Sequence, residues 1–178
     1  MGHIHNGLND HDFTVSAFIV RKDKNVNKLL LHRHKKLGKY IQIGGHVEVS
    51  ENPIQALAHE LKEESGYDLE KDLMFFQPAI RIPSVTGEVV HPLPVCINTH
   101  PFNDVHSHID MEYALFASEL PANKPLKNES NDFLWVSLEE LKELPIDQTI
   151  PNVREIGIFV LEQILSSWEV VPSKSYII

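Results

Sequence analysis

Apolar and polar positions in the N-terminal third of the chain alternate in two runs that predict strands. Phe13 to Val20 (FTVSAFIV) and Lys28 to His32 (KLLLH) are rich in β-branched, aromatic and aliphatic residues, as buried strands are. The polar stretch RKDKNVN between them is longer than a two-residue hairpin turn. We therefore expect an antiparallel pair that is joined by a longer loop.

A helix is predicted from Pro53 to Ser65, because apolar residues recur there at helical spacing. Asn52 is a good N-cap, proline suits the first helical position, and Gly66 supplies a left-handed stop. The apolar stripe, which predicts packing on a core, consists of Ile54, Leu57, Ala58 and Leu61.

Further elements follow in the second half of the chain. Ser137 and Glu140 form a capping-box pair at the start of a short helix that follows the strand FLWV. An amphipathic helix is predicted from about Asn152 to Trp168. Short strands are predicted near Met74 to Ile82, Glu88 to Val90, Val95 to Thr99 and Met111 to Ala117.

Three glutamates crowd one side of the first predicted helix. Glu60, Glu63 and Glu64 stand at i, i+3 and i+4 and therefore face the same way. A solvated acidic surface explains such a run in many helices. Here, however, Gly44 and Gly45 precede the helix, and a glycine backbone can approach a ligand that side chains would block. Carboxylates and carbonyl oxygens are the ligands that Mg²⁺ and Mn²⁺ prefer, so this cluster predicts a divalent-metal site.

The spacing of these residues resembles the Nudix box, the signature of the Nudix hydrolase family. Its pattern is G-x5-E-x7-R-E-U-x-E-E-x-G-U, where U is a bulky apolar residue. The stretch from Gly45 to Tyr67 matches eight of the nine fixed positions. The flanking segments GGHVE and WVSLEEL also resemble segments common in that family, so the resemblance spans most of the chain.

This resemblance implies an α/β fold of the Nudix type, an α/β/α sandwich with a mixed β-sheet. A length of 178 residues suits a single domain, in which residues 1–12 are expected to form a loose lead-in. The implied activity is hydrolysis of a pyrophosphate bond in a nucleoside diphosphate derivative by water attack at phosphorus, with Mg²⁺ or Mn²⁺ as the cofactor. Ions held by carboxylates suit that reaction, because phosphoryl transfer depends on charge neutralisation and positioning.

The resemblance also implies a function for each glutamate of the predicted helix. Glu60 and Glu64 match the main metal ligands, and the backbone of Gly45 matches a further ligand. Glu63 matches either another ligand or the base that acts on water. All three glutamates are therefore candidate catalytic residues.

Three other residues of the box are expected to orient rather than to react. Glu48 and Glu51 are expected to brace the loop and the helix. His59 stands where the family pattern has an arginine, which orients a neighbouring glutamate. Histidine is shorter than arginine and lacks its bidentate fork. This departure leaves two functions open: an active hydrolase, or a catalytically weak or inactive module of the same fold that binds nucleotides or regulates.

The stretch VHSHIDMEY places His106, His108, Asp110 and Glu112 at alternate positions, so that they share one face of a strand. In one interpretation this face is solvated and the apolar residues between them point inward. In another, Asp110 or Glu112 joins the metal site, or the histidines contact a substrate phosphate. A His-x-His strand also suits zinc, and a zinc enzyme built there would keep its activity after loss of the helix glutamates.

The basic stretch RHKKLGK lies just before the double glycine. Its cations Arg33, Lys35 and Lys39 are candidates for attracting substrate phosphates in an otherwise acidic chain. A solubilising loop without a function explains the same residues.

Composition narrows the range of partners. The chain has 25 acidic and 16 basic residues, and its net charge of -9 argues against a nucleic acid polymer or an anionic membrane as partner. With Cys96 as the single cysteine and no signal peptide or long apolar span, a cytoplasmic location is expected. The expected partner is a small-molecule nucleotide substrate, while its identity and self-association into a homo-oligomer are left open.

Overall fold

The structure of the protein is a computed structural model that describes residues 11–103 and 106–176. Within these ranges no helix is long and apolar enough to cross a membrane. The first strand begins at His11, because residues 11–12 already pair with residues 107–108 of a later strand. The predicted loose lead-in is therefore wrong for His11 and Asp12, and its first ten residues lie outside the described part of the chain.

Nine strands and five α-helices form within the described residues. The strands are β1 (His11–Asp23), β2 (Val26–Arg33), β3 (Tyr40–Ile41), β4 (Ile43–His46), β5 (Leu73–Gln77), β6 (Cys96–Asn103), β7 (His106–Ala117), β8 (Phe133–Val136) and β9 (Glu169–Pro172). The α-helices are α1 (Pro53–Glu60), α2 (Leu69–Asp72), α3 (Leu138–Glu143), α4 (Pro151–Phe159) and α5 (Leu165–Ser167). A π-helical segment, Leu61–Ser65, continues α1, and another, Val160–Ile164, links α4 to α5.

All nine strands belong to one mixed sheet. Its main path runs β3-β2-β1-β7-β5-β9, while β4 pairs with β1, β6 with β7 and β8 with β2. Strands β1 and β7 are parallel over 11 residue pairs, and the other pairings of named strands are antiparallel. The mixed sheet that the sequence predicts is thereby confirmed.

Helices cover both faces of the sheet and make the expected α/β/α sandwich. Alternate residues of β1 point to opposite faces, as the period of a strand requires. Val15 and Ile19 pack in a core with Leu57 and Leu61 of the α1 segment. On the opposite face, Phe18 and Val20 pack in a second core with residues of α3, α4 and the π-helical segment that follows α4.

Two local predictions are wrong. The loop between β1 and β2 is a two-residue turn at Lys24 and Asn25, both with positive φ, because the strands extend through charged residues that the polar pattern assigns to a loop. No strand forms at 88–90, which lies in a stretch with prolines at 78, 83, 92 and 94. Proline lacks the N–H group that a ladder needs, and this explains the irregular backbone.

The predicted helix and its caps are confirmed. The side chain of Asn52 accepts hydrogen bonds from the N–H groups of Ile54 and Gln55, both at 3.0 Å. Gly66 adopts the left-handed conformation, with φ of 79°, where the helical segment ends. Helix α1 and its π-helical continuation therefore span the predicted range of Pro53 to Ser65.

Strands β1 and β2 separate from each other in the part of the sheet where the site forms. Strands β1 and β2 pair with each other only near their shared turn, from Val20 opposite Leu29 to Asp23 opposite Val26. Beyond that point, β3 pairs with β2 and β4 pairs with β1. This arrangement brings the two glycines of β4 against the end of the α1 segment.

Candidate active site

Glu64 lies buried between strand β2 and the two glycines of β4, Gly44 and Gly45, which we call the glycine pair. Its Oε2 atom accepts a hydrogen bond of 3.0 Å from the backbone N–H of Gly44. Burial raises the pKa of Glu64 to about 8; the charges of Glu60, Glu129 and Glu63 add to the effect, and the hydrogen bond from Gly44 opposes it. Without a bound cation, the protein therefore does not supply enough positive charge near Glu64 to keep its carboxylate ionised at neutral pH.

Glu60 lies directly against Gly45, the second residue of the glycine pair. A Cβ atom added to Gly45 would come within 2.1 Å of Oε1 of Glu60, so only glycine leaves room for this carboxylate. Burial raises the pKa of Glu60 to about 7, an effect that the nearby His59 opposes and that Glu63 and Glu129 strengthen. The glycine backbone and the two carboxylates thus meet at one place.

His32 is a neighbour of Glu64 that the sequence did not single out. Its Nε2 atom lies 3.5 Å from Oε2 of Glu64, and the residue is 1% exposed. Burial lowers the pKa of His32 to about 4, and repulsion from His34 adds to the effect. The imidazole is therefore neutral at physiological pH, and its contact with Glu64 is not an ion pair. His32 ends an apolar run, and no local signal separates it from a core histidine.

His59 lies between two glutamates of the box. Its Nε2 atom is 3.0 Å from Oε1 of Glu63, and its Nδ1 atom is 3.3 Å from Oε1 of Glu51. Burial alone would lower the pKa of His59, but the hydrogen bond to Glu63 and the charges of Glu63 and Glu51 outweigh it and raise the pKa. Glu51 also accepts from the backbone N–H of Glu48 at 3.4 Å. Glu51 and His59 together thus connect the loop before α1 to Glu63.

Glu129 is a second residue that the sequence interpretation missed. Its charge helps to raise the pKa of Glu60 and Glu64, although it belongs to the loop before β8. This loop is tied to the α1 segment, because the N–H of Leu126 donates to the carbonyl of Glu63 at 2.8 Å. Nothing in the local sequence NESND marks the residue, since only the tertiary fold brings it to the site.

The three candidate cations of the basic loop contact residues in the second half of the chain. The Nζ atom of Lys35 donates to the carbonyl of Asn128, next to Glu129. Lys39 donates to the carbonyl of Thr149 at 3.3 Å, and Arg33 lies 3.8 Å from Asp132. Lys35 is therefore held beside the segment that carries Glu129, and its binding to phosphate stays a prediction.

The histidines and acids of strand β7 form a separate cluster on the face of the sheet. Asp110 is 3% exposed and Glu112 1% exposed, so the interpretation of this side as solvated is wrong. Neighbouring strands on both sides of β7 cover this side with polar residues that a single-strand pattern does not reveal. His106 pairs with Asp12 at 3.0 Å, and the ring of His108 contacts that of His106. The charges that perturb Glu60 and Glu64 do not include Asp110 or Glu112.

Glu60, Glu64 and the glycine pair fit a divalent cation. Glu64 is buried and Glu60 half-buried beside the same two glycines, and both have raised pKa values that positive charge would reverse. Glu63 instead pairs with His59, and no three potential ligand side chains of the described residues are arranged to hold a metal ion. The expected convergence of three carboxylates is therefore limited to Glu60 and Glu64 in this arrangement.

Metal-free protein is expected to lose stability as the pH rises from about 6 to about 8. The pKa values of Glu60 and Glu64 are raised to about 7 and about 8, so the folded state keeps protons that the unfolded chain has released. Deprotonation through this window then favours unfolding. Melting temperatures in a chelator should show the decline, Glu64→Gln should make it shallower, and Mg²⁺ should oppose it. A decline of unchanged slope in Glu64→Gln would contradict this assignment.

His59→Ala is expected to lower kcat by roughly ten- to a hundred-fold, because Glu63 then loses the side chain that orients it. His59→Arg should retain activity, since arginine can reach the same two carboxylates. Steady-state kinetics on both variants, together with their melting temperatures, check the prediction. Equal turnover in His59→Ala and the parent at matched stability would remove this role.

Known proteins share the sequence pattern and the fold of this chain. The NUDIX domain model matches residues 10–155. A hydrolase of the NUDIX family from Clostridium perfringens is 33% identical, with a TM-score of 0.70, and the match covers 86% of this chain and 97% of that one. A search of curated proteins finds no significant match.

Two more distant structures share the fold alone. An Ap4A hydrolase from C. elegans is 18% identical with a TM-score of 0.58, and the match covers 82% of this chain and 90% of that one. The NUDIX domain of NrtR from Shewanella oneidensis, complexed with ADP ribose, is 16% identical with a TM-score of 0.52. That match covers 76% of this chain and 79% of the other.

Proposed function

The chain belongs to the Nudix family of pyrophosphohydrolases, and we propose that it cleaves a nucleoside diphosphate derivative by water attack at phosphorus with a divalent ion as cofactor. One observation supports this most strongly. Glu60, which is half-buried, and Glu64, which is buried, lie against strand β4, where a Cβ atom on Gly45 would come within 2.1 Å of a Glu60 oxygen. A cluster of this kind is stabilised by a cation.

The residues that would hold the ion are Glu60, Glu64 and the backbone of Gly45. When bound, an Mg²⁺ or Mn²⁺ ion neutralises phosphate charge and activates water. His59 holds Glu63 in place at 3.0 Å, so Glu63 acts either as a further ligand or as the base that takes the proton from water. Glu129 supplies another carboxylate from the loop before β8.

The contacts of His59 argue against the alternative of an inactive binding module. His59 departs from the family pattern, but its ring contacts both Glu51 and Glu63, as an orienting residue must. A module that only binds nucleotide also gains nothing from packing Glu60 and the buried Glu64 against the same two glycines. We therefore propose an active enzyme.

A substrate panel tests the proposed function. The panel contains a nucleoside triphosphate, a nucleotide sugar, coenzyme A, ADP ribose and a dinucleoside polyphosphate. The last two are included because the fold is shared with an ADP-ribose complex and an Ap4A hydrolase. Release of a phosphate-containing product with Mg²⁺ or Mn²⁺, and its loss in a chelator, is the expected result. In water labelled with ¹⁸O, the label should enter a phosphate group. Tight binding of nucleotide without turnover under any metal condition would contradict the proposal.

The remaining parts of the proposal concern where and how the enzyme works. We propose a single domain that acts in the cytoplasm on a small molecule and binds neither a nucleic acid polymer nor a membrane. The net charge of -9 supports the last point.

A further inference from the structure

Four side chains of metal-binding type meet on one face of the sheet. Asp12 lies near the start of β1, His46 ends β4, and His106 and His108 lie at the start of β7. The strand registers bring them together, because Asp12 stands opposite His108, and Thr14, two residues later, stands opposite His46. We call Asp12, His46, His106 and His108 the histidine-aspartate cluster. The proposed catalytic chemistry uses none of these four side chains.

One carboxylate oxygen of the cluster faces two imidazole nitrogens. Oδ2 of Asp12 lies 3.0 Å from Nε2 of His106 and 3.7 Å from Nε2 of His46. Two ligand atoms on one tetrahedral zinc ion lie roughly 3.3 Å apart, since each bond to zinc is about 2.0 Å long. The two observed separations bracket that value, so small side-chain movements would place all three atoms around an ion.

His108 adds a buried nitrogen atom that lacks a partner. The residue is 8% exposed, and its Nε2 atom has no hydrogen-bond partner among the described residues. Its ring packs nearly perpendicular to the rings of His46 and His106, with centroids 4.9 and 5.5 Å away. Buried polar atoms in folded proteins are almost always paired, so this nitrogen indicates a missing partner. A neutral imidazole binds metal ions through such a nitrogen, and His108 therefore completes a set of four ligands.

Aromatic rings hold His108 in place, while the other two histidines can be reached from solvent. Phe102 stacks on His108 with centroids 4.7 Å apart, and His100 contacts it with centroids 5.3 Å apart. His46 and His106 are partly exposed. One fixed, buried ligand beside two accessible ones gives an ion a route into the cluster.

We propose that the histidine-aspartate cluster binds a zinc ion, separate from the ion of the helix glutamates. Three imidazoles and one carboxylate are donors that suit zinc, whereas Mg²⁺ prefers oxygen ligands. Four protein ligands leave no open position, so the ion links β1, β4 and β7 and does not activate water. No three potential ligand side chains in the described part of the chain already surround a common point. Binding therefore requires the partly exposed rings of His46 and His106 to turn toward the ion.

The cluster and the helix glutamates lie on opposite faces of β4. A Cβ atom on Gly45 would point at Glu60, and the next residue, His46, points to the other face because side chains alternate along a strand. Variants can therefore remove a side-chain ligand from one site without removing one from the other.

Calorimetry with Zn²⁺ in an excess of Mg²⁺ tests the proposal, because Mg²⁺ competes for the carboxylates of the helix and not for imidazoles. We expect one Zn²⁺ per chain, bound equally by the parent and by Glu64→Gln, and bound at least about tenfold more weakly by His106→Ala and Asp12→Asn. The visible spectrum of bound Co²⁺ should show tetrahedral coordination in the parent and lose it in both cluster variants. His91→Ala, which removes a histidine from the loop between β5 and β6, is the matched control and should bind Zn²⁺ as the parent does.

His46→Ala keeps the test decisive if the buried Asp12→Asn variant fails to fold, because His46 is partly exposed. Zn²⁺ should raise the melting temperature of the parent and of Glu64→Gln, and should raise that of His46→Ala much less. Absence of Zn²⁺ binding by the parent, or binding that His46→Ala and His106→Ala leave unchanged, would overturn the inference. Binding that Glu64→Gln alone abolishes would place the ion at the helix glutamates and would overturn it as well.

Discussion

Glu64→Gln is expected to lower kcat by about a thousand-fold while the metal-free protein stays as stable as the parent or becomes more stable. A bound ion supplies several kcal/mol of transition-state stabilisation, and about 1.4 kcal/mol is a factor of ten in rate. Stability should not suffer, because burial raises the pKa of Glu64 to about 8 and the neutral amide removes a charge that the site disfavours. The amide oxygen can still accept from the N–H of Gly44.

Steady-state kinetics and melting temperatures at pH 8 measure both parts of this prediction. Glu139→Gln, an exposed acid in the first turn of α3, serves as the matched control and should keep full activity. Full activity of Glu64→Gln itself would contradict the account. That result would instead support the alternative of a zinc enzyme centred on the histidines of β7.

Gly45→Ala is expected to lower kcat by about a hundred-fold, because a Cβ atom there would come within 2.1 Å of Oε1 of Glu60. The carboxylate must then move away from strand β4, and a displacement of about 1 Å at a catalytic group has an effect of that size. Binding of Mn²⁺, followed by electron paramagnetic resonance, should weaken in parallel. Kinetics and metal binding together separate this result from a general loss of folded protein.

Gly87→Ala is the control for a loss of stability that a glycine replacement causes away from the site. Gly87 has φ of 80° and nothing within 4 Å of its added Cβ atom, so this variant loses stability without touching the site. Similar losses of kcat in both variants at matched stability would show that Gly45 has no special function. Loss in Gly45→Ala alone is the expected result.

The helix from Pro53 to Ser65 is predictable from local sequence signals, because its determinants are local. Asn52 caps it, Gly66 ends it, and the apolar stripe faces the core, all within a short stretch. The spacing of the box likewise predicts that Glu60 and Glu64 lie near the glycine pair, and Glu60 lies against Gly45 while Glu64 accepts a hydrogen bond from Gly44. Each of these relations depends on residues less than about two dozen positions apart.

Residues that reach the site through tertiary structure could not be predicted in the same way. His32 belongs to β2 and Glu129 to a distant loop, and only strand pairing and the Leu126 to Glu63 hydrogen bond bring their segments to the helix. The buried acids of β7 misled the interpretation for a related reason. An alternating polar pattern predicts which residues share a face, but neighbouring strands decide whether that face meets water.

The turn between β1 and β2 shows another limit of hydrophobic patterning. Charged residues at 21–23 continue the strand, because the ladder depends on backbone groups and not on side-chain polarity. Strand ends therefore extended beyond the apolar runs that predicted them. The antiparallel pairing of β1 with β2 is nevertheless as predicted.

A crystal soaked in Mn²⁺ at about pH 8 tests the central claim most directly, through an anomalous difference map. The account predicts a peak in contact with the carboxylates of Glu60 and Glu64 and with the backbone of Gly45. A map in which both carboxylates bind no ion, with manganese found only among the histidines of β6 and β7, would contradict it.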